Sequence, residues 1–149
     1  MDDIIHILKT PEECRELEKI FTNLALQARL RAVELSAVNY GYESPVEKEL
    51  LEALYAYEEV LTKKNNRRTR ASRTWPMVHK YGIIKAAERA VNRPTDAMGY
   101  KVLVDMGMKD LTFESVISRH PETFSQEIVK LARTRLEEFK KIEPVKNFV

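Results

Sequence analysis

Apolar residues recur along this chain at spacings of three and four, which is the period of an α-helix. Cys14, Leu17, Phe21 and Leu24 form one stripe, and Leu26, Leu30, Val33 and Ala37 form a second. The run from Leu24 to Val38 is apolar on more than one side, so it is expected to be a central helix ended by Gly41. Asn23 marks either a break or an exposed turn. A third stripe comprises Val46, Leu50, Ala53, Leu54, Tyr57, Val60 and Leu61, with Glu49, Glu52 and Glu59 on the opposite face. Shorter patterns follow at Ile84, Ala87 and Val91, at Leu111, Phe113, Val116 and Ile117, and at Val129, Ala132, Leu136 and Phe139. No stretch sustains two-residue alternation. The pattern predicts an all-α fold of about seven helices, several short, in one compact domain spanning 1–149.

Start and stop signals bracket these stripes. Thr10-Pro11-Glu12-Glu13 and Ser44-Pro45-Val46-Glu47 both read as a capping residue, a proline at the first helical position and an acid three residues after the cap. Asn65-Asn66 suits a helix end, because asparagine tolerates the left-handed conformation. Thr74 is a candidate cap for a helix opening at Trp75-Pro76, unless one helix runs through and kinks. Tyr81-Gly82 reads as a turn, Ile83 to Val91 as a short helix and Arg93-Pro94 as its break. A helix is expected from Asp96 to Met106, stopped by Gly107. Asp110 is the expected cap of the next, which ends at His120-Pro121. Ser125 caps the last, with Phe124 stapled onto Val129 and Pro144 closing it.

Composition narrows the chemistry. A chain of 149 residues is long enough to bury a core without staples. Cys14 is the single cysteine, so there is no internal disulfide, and a buried, inert thiol is expected. The N-terminal MDDIIHILKT has acids where a signal peptide needs cations, and no window approaches a membrane span; a cytoplasmic protein with no membrane partner is expected. His6, His79 and His120 lie far apart in sequence, without metal-ligand spacing. There is no phosphate-binding glycine loop. No cofactor, metal or catalytic residue is therefore assigned. The glutamates at 12, 13, 16 and 18, and at 47, 49, 52, 58 and 59, read as solvated helix faces.

Charge changes the picture most. Lys63 to Lys101 carries eleven Lys or Arg against Glu88 and Asp96, a net of +9 in 39 residues; the other 110 residues carry −7 within a chain of +2. Self-repulsion of this size calls for an anionic partner or for acidic neighbours in the fold. The densest part, KKNNRRTRASRTW, holds Lys63, Lys64, Arg67, Arg68, Arg70 and Arg73, and Lys80, Lys85, Arg89 and Arg93 extend it. Arginine suits phosphate because its planar fork donates two parallel hydrogen bonds. Thr69, Ser72 and Thr74 add small donors, and Trp75 is either a base-stacking platform or a core residue beside Pro76. The expectation is a nucleic-acid-binding domain, duplex DNA favoured over RNA, with the sites at these ten cations and Trp75. The rival is an adaptor whose basic face docks on an acidic protein or on a second copy in a homodimer. A helix-turn-helix about Tyr81-Gly82 would offer Lys85, Glu88, Arg89 and Asn92 to a groove, although Val78 and Glu88 depart from its pattern. Arg73 and His79 have five residues between them, a spacing that resembles the Arg-x4–6-His motif carried on a helix by HEPN ribonucleases. That resemblance covers seven residues and implies RNA cleavage with His79 as acid–base and Arg73 on the phosphate. Pro76 lies inside the motif, and Thr74 stands where the family has another polar residue.

Overall fold

The computed structural model describes residues 2–94 and 97–142. Among them all regular structure is α-helical, in seven helices: α1 (Asp2–His6), α2 (Pro11–Tyr40), α3 (Pro45–Asn65), α4 (Trp75–Val91), α5 (Ala97–Asp105), α6 (Phe113–Arg119) and α7 (Gln126–Lys141). The chain divides into two units, Met1–Ala32 and Val33–Val149.

The first unit holds α1 and the N-terminal part of α2. Thr10 Oγ1 accepts the Glu13 N–H at 3.1 Å, and the Glu13 carboxylate accepts the Lys9 N–H at 2.9 Å, so the sequence-predicted start is built from these side chains. Asn23 does not interrupt α2, which runs unbroken for 30 residues. The stripe through Phe21 and Leu24 faces water: Ile20, Phe21 and Leu24 are 55%, 58% and 50% exposed. Cys14 lies on the same stripe and is exposed rather than buried.

In the second unit the central helix is α3, not α2. The part of α2 after Ala32 buries only Val33 and Ala37, whereas α3 buries eight residues and packs on α4, α5 and α6. Ser44 Oγ accepts the Glu47 N–H at 3.2 Å with Pro45 behind it, which fixes the first turn. Asn66 ends the helix at φ 54°, the left-handed conformation that asparagine tolerates. Leu50, Leu51 and Leu54 are almost wholly buried; Leu50 and Leu54, one turn apart, face a core completed by Trp75, Val78 and Ala87 of α4, Val116 and Ile117 of α6, and Val129 and Ala132 of α7. Val33, Ala56, Val60, Leu103, Met106 and Met108 form a second cluster with α5.

Two expected boundaries move. Thr112, not Asp110, caps α6: its side chain accepts the Ser115 N–H at 3.0 Å, whereas Asp110 lies two residues too early for the first turn. Ser125 caps α7, and Phe124 and Val129 lie in the same core cluster. The expected start at Asp96 and stop at Pro144 lie outside the described residues.

The turn expected at Tyr81-Gly82 shrinks to one residue. Gly82 adopts φ 83°, ψ 164° inside α4, and helix resumes at once on its far side. A helix-turn-helix joins its helices through three or four residues, so this junction is a kink of another kind. A Cβ at position 82 would meet no atom within 4 Å, so the constraint is purely a backbone one. Gly82→Ala is expected to destabilise the protein by about 1–3 kcal/mol, the cost of holding a side-chain-bearing residue in that region. A lowered urea midpoint with an unchanged m value would report it.

Candidate functional site

The basic segment is built on the last turns of α3. The residues between Asn66 and Trp75 have little regular structure of their own, so their polar backbone groups need partners elsewhere. Three side chains of α3 supply them. Thr62 Oγ1 accepts the Thr69 N–H at 3.0 Å. The Glu59 carboxylate takes the Arg68 guanidinium at 2.6 Å, and that bond holds the arginine above its ordinary pKa. Glu58 reaches furthest inward: one carboxylate oxygen accepts the Ala71 N–H at 2.8 Å and the Trp75 indole N–H at 2.7 Å, with Arg70 Nε 3.7 Å away.

Glu58 is therefore not on a solvated face; it is 5% exposed. A buried carboxylate is tolerated when its oxygens are paired, and charge-assisted bonds of this length are the strong kind. Trp75 is likewise 5% exposed, its ring within 5.2 Å of Tyr40, 5.5 Å of Tyr55 and 5.8 Å of His79, with the Arg70 guanidinium over it at 4.9 Å. Burial and the spent indole N–H remove Trp75 from any base-stacking role. The expected site loses its tryptophan to the core.

The ten cations remain. Lys63, Lys64, Arg67, Arg68, Arg70, Arg73, Lys80, Lys85, Arg89 and Arg93 are all exposed. Arg68, Arg70 and Lys85 pair with Glu59, Glu58 and Glu88, yet each keeps about two-thirds of its side chain in water (68%, 69% and 67%). Lys63, Arg67 and Arg73 make no ion pair among the described residues. Across the Gly82 kink, Arg89 lies 3.9 Å from the Tyr81 ring centre and Lys80 lies 5.2 Å from it, a cation–π arrangement that keeps both charges at the surface. Arg73 precedes α4 and His79 lies within it, so the two do not share one helix as the ribonuclease motif does.

Arg73 and Arg93 also border a cleft of about 430 Å³, lined among others by Tyr57, Met77, Tyr100 and Glu114. Burial pushes the Glu114 carboxyl above the ordinary glutamate range, against the opposing pull of its own backbone and of Arg135 at 3.7 Å. Arg135 also donates to the Arg93 carbonyl and so holds the cleft rim. On the far side of α3, Glu49 takes Arg119 at 3.3 Å and bonds the His120 ring, so His120 is held by a carboxylate as well as by its place at the end of α6. Among the described residues no group of three or more His, Cys, Asp or Glu is placed to hold a metal ion, and no helix is long and apolar enough to cross a membrane.

The chain matches no protein-family model, and none of the curated proteins or solved structures compared with it is similar. What the described residues do establish is an all-α fold, with exposed cations on the end of α3, on the loop after it and on α4.

Two outcomes follow from this geometry. Glu58→Ala strands the Ala71 and Trp75 N–H groups and is expected to cost about 2–4 kcal/mol in urea unfolding, more than Glu59→Ala, whose ion pair lies at the surface. Because the Glu114 shift is upward, its ionised form is disfavoured in the folded state. Relative to Glu114→Gln, wild-type stability is therefore greatest below the ordinary glutamate range. It declines as pH rises through that range to the raised folded value, which urea midpoints at about pH 4 and pH 7 would reveal.

Proposed function

We propose that the protein binds nucleic acid through its cationic loop and α4, by phosphate contacts that are independent of base sequence. One observation carries the reading: all ten cations from Lys63 to Arg93 are exposed, and four of them stand on a loop pinned from below by Glu58, Glu59 and Thr62. A loop already held in place loses less entropy on binding than a free one. Among the described residues the fork of Arg67 or Arg73 has no acid to leave first, so each can donate to phosphate without breaking an ion pair there.

Duplex DNA is favoured over single strands. Single-strand binders rely on exposed aromatic faces, and within Lys63 to Arg93 the indole is buried while the Tyr81 ring is flanked by Lys80 and Arg89. With Gly82 supplying a kink rather than a loop between two helices, contact to the outer phosphates suits this surface better than insertion of a recognition helix.

If about five phosphates are neutralised, log K falls with log salt at a slope near −4 to −5. Fluorescence anisotropy of a labelled random duplex across a salt series measures this. Arg67→Ala/Arg73→Ala is expected to flatten the slope by about two units and weaken all sequences alike. A slope near zero, or an unaltered slope in the double variant, removes the proposal.

A further inference from the structure

Five helices converge on the cleft that Arg73 and Arg93 border. Tyr57 of α3, Met77 of α4, Tyr100 and Leu103 of α5, Phe113 of α6 and Phe139 of α7 line it. The Tyr100 and Phe139 rings stack at 4.6 Å with 15° between their planes, and both are buried, so this wall stands before any ligand arrives. A mainly apolar hollow of about 430 Å³ with a few polar groups at its edge has the size and make-up of a small-molecule site.

Gly99 helps to keep the hollow open. It lies in α5, where glycine is among the poorest helix formers, and its backbone has no positive φ that would call for one. No close approach calls for it either, because a Cβ there would meet no described atom within 4 Å. Gly99 lines the cleft, so what the missing side chain leaves is room.

Charge at the mouth selects the ligand. Arg73 and Arg93 flank α4, and neither makes an ion pair among the described residues. No described residue between Met77 and Ala90 lines the cleft, so α4 reaches it with its two ends, on either side of the break at Gly82. Behind the rim Arg135 stretches from the Arg93 carbonyl to Glu114, and its buried Nη1 makes no hydrogen bond among the described residues. Glu114 is the one acid among the described lining residues, and Arg135 already holds it. The surplus charge is positive and the walls are aromatic. Arginine's planar fork suits a carboxylate or a phosphate, and ring-on-ring contacts gain beyond the area they bury.

We infer that the cleft binds a small aromatic acid, its ring among Tyr57, Met77, Phe113 and the Tyr100–Phe139 stack and its oxyanion on Arg73 and Arg93. The site does not rest on nucleic-acid binding, and its assay contains no duplex, so either reading can fail alone.

The test is a titration of the full chain with anilinonaphthalenesulfonate, an aromatic oxyanion whose emission rises and moves to the blue in apolar surroundings. Saturable binding is expected, both of this dye and of the uncharged N-phenylnaphthylamine. Arg73→Ala/Arg93→Ala is expected to weaken the sulfonate by about tenfold or more and to leave the uncharged dye as it was. Gly99→Leu puts a side chain into the open space and improves helix propensity, so it is expected to exclude both dyes while its urea midpoint stays at or above that of the wild type. Competition names the head group: displacement by naphthyl phosphate marks a phosphate, and displacement by naphthoate marks a carboxylate. Absence of saturable binding, equal affinity in the double-arginine variant, dye retained by Gly99→Leu, or displacement by neither competitor would overturn the inference.

Discussion

The Glu58 carboxylate is the contact on which the second unit depends. It sits on the last turns of the central helix and satisfies a loop N–H and the indole N–H of the first residue of α4 with one oxygen. Chain connectivity alone would leave the stretch from Asn66 to Thr74 free to wander. Instead residues 58, 59 and 62 of α3, one helical turn, fasten residues 68, 69, 71 and 75. Beside that anchorage the Trp75 ring packs against Tyr40 and Tyr55, which seats the first residue of α4 in the core.

The same contact settles how a strongly positive segment is tolerated. Repulsion among closely spaced cations lowers stability, and buried or half-buried acids beneath them offset it. The acids lie under the loop rather than over it. Arg68 and Arg70 are therefore steadied by their carboxylates without being withdrawn from water, and the field they project outward is reduced but not cancelled. This division distinguishes a structural ion pair from a neutralised one. It also explains why acidic glutamates crowd α3 just before the sequence turns basic.

Much of the helical plan was legible in the chain. Ser44-Pro45, Asn66 and Ser125 occupy the caps their chemistry suits, and Gly82 breaks α4 where a glycine was the only residue able to. The role of Glu58 was not legible. In a row of glutamates on a helix each looks solvated, and its partners come 13 and 17 residues later in a stretch with no period of its own. Trp75 was ambiguous for the same reason, since its burial depends on an acceptor that sequence does not place. Asp110 and Thr112 are both capping residue types, with Asp the stronger by preference, and only the path of the preceding turn decides for Thr112. For α2 the apolar stripes were plain, but periodicity states that a face is apolar and not what covers it. Val33 and Ala37 are covered within the chain, and Phe21 and Leu24 are not.

Trp75 is the chain's single tryptophan, and its ring lies at the root of the cationic loop with its N–H on a carboxylate and a guanidinium above it. Tryptophan emission, excited beyond the absorption of the six tyrosines, therefore arises at one spot. Anything that lifts the loop from α3 wets the indole and shifts its spectrum to the red, whereas a ligand that stays on cations away from the ring, such as Lys63 or Lys64, leaves the colour alone. The protein thus contains an optical gauge of whether its most highly charged stretch is seated or loose, needing no added dye.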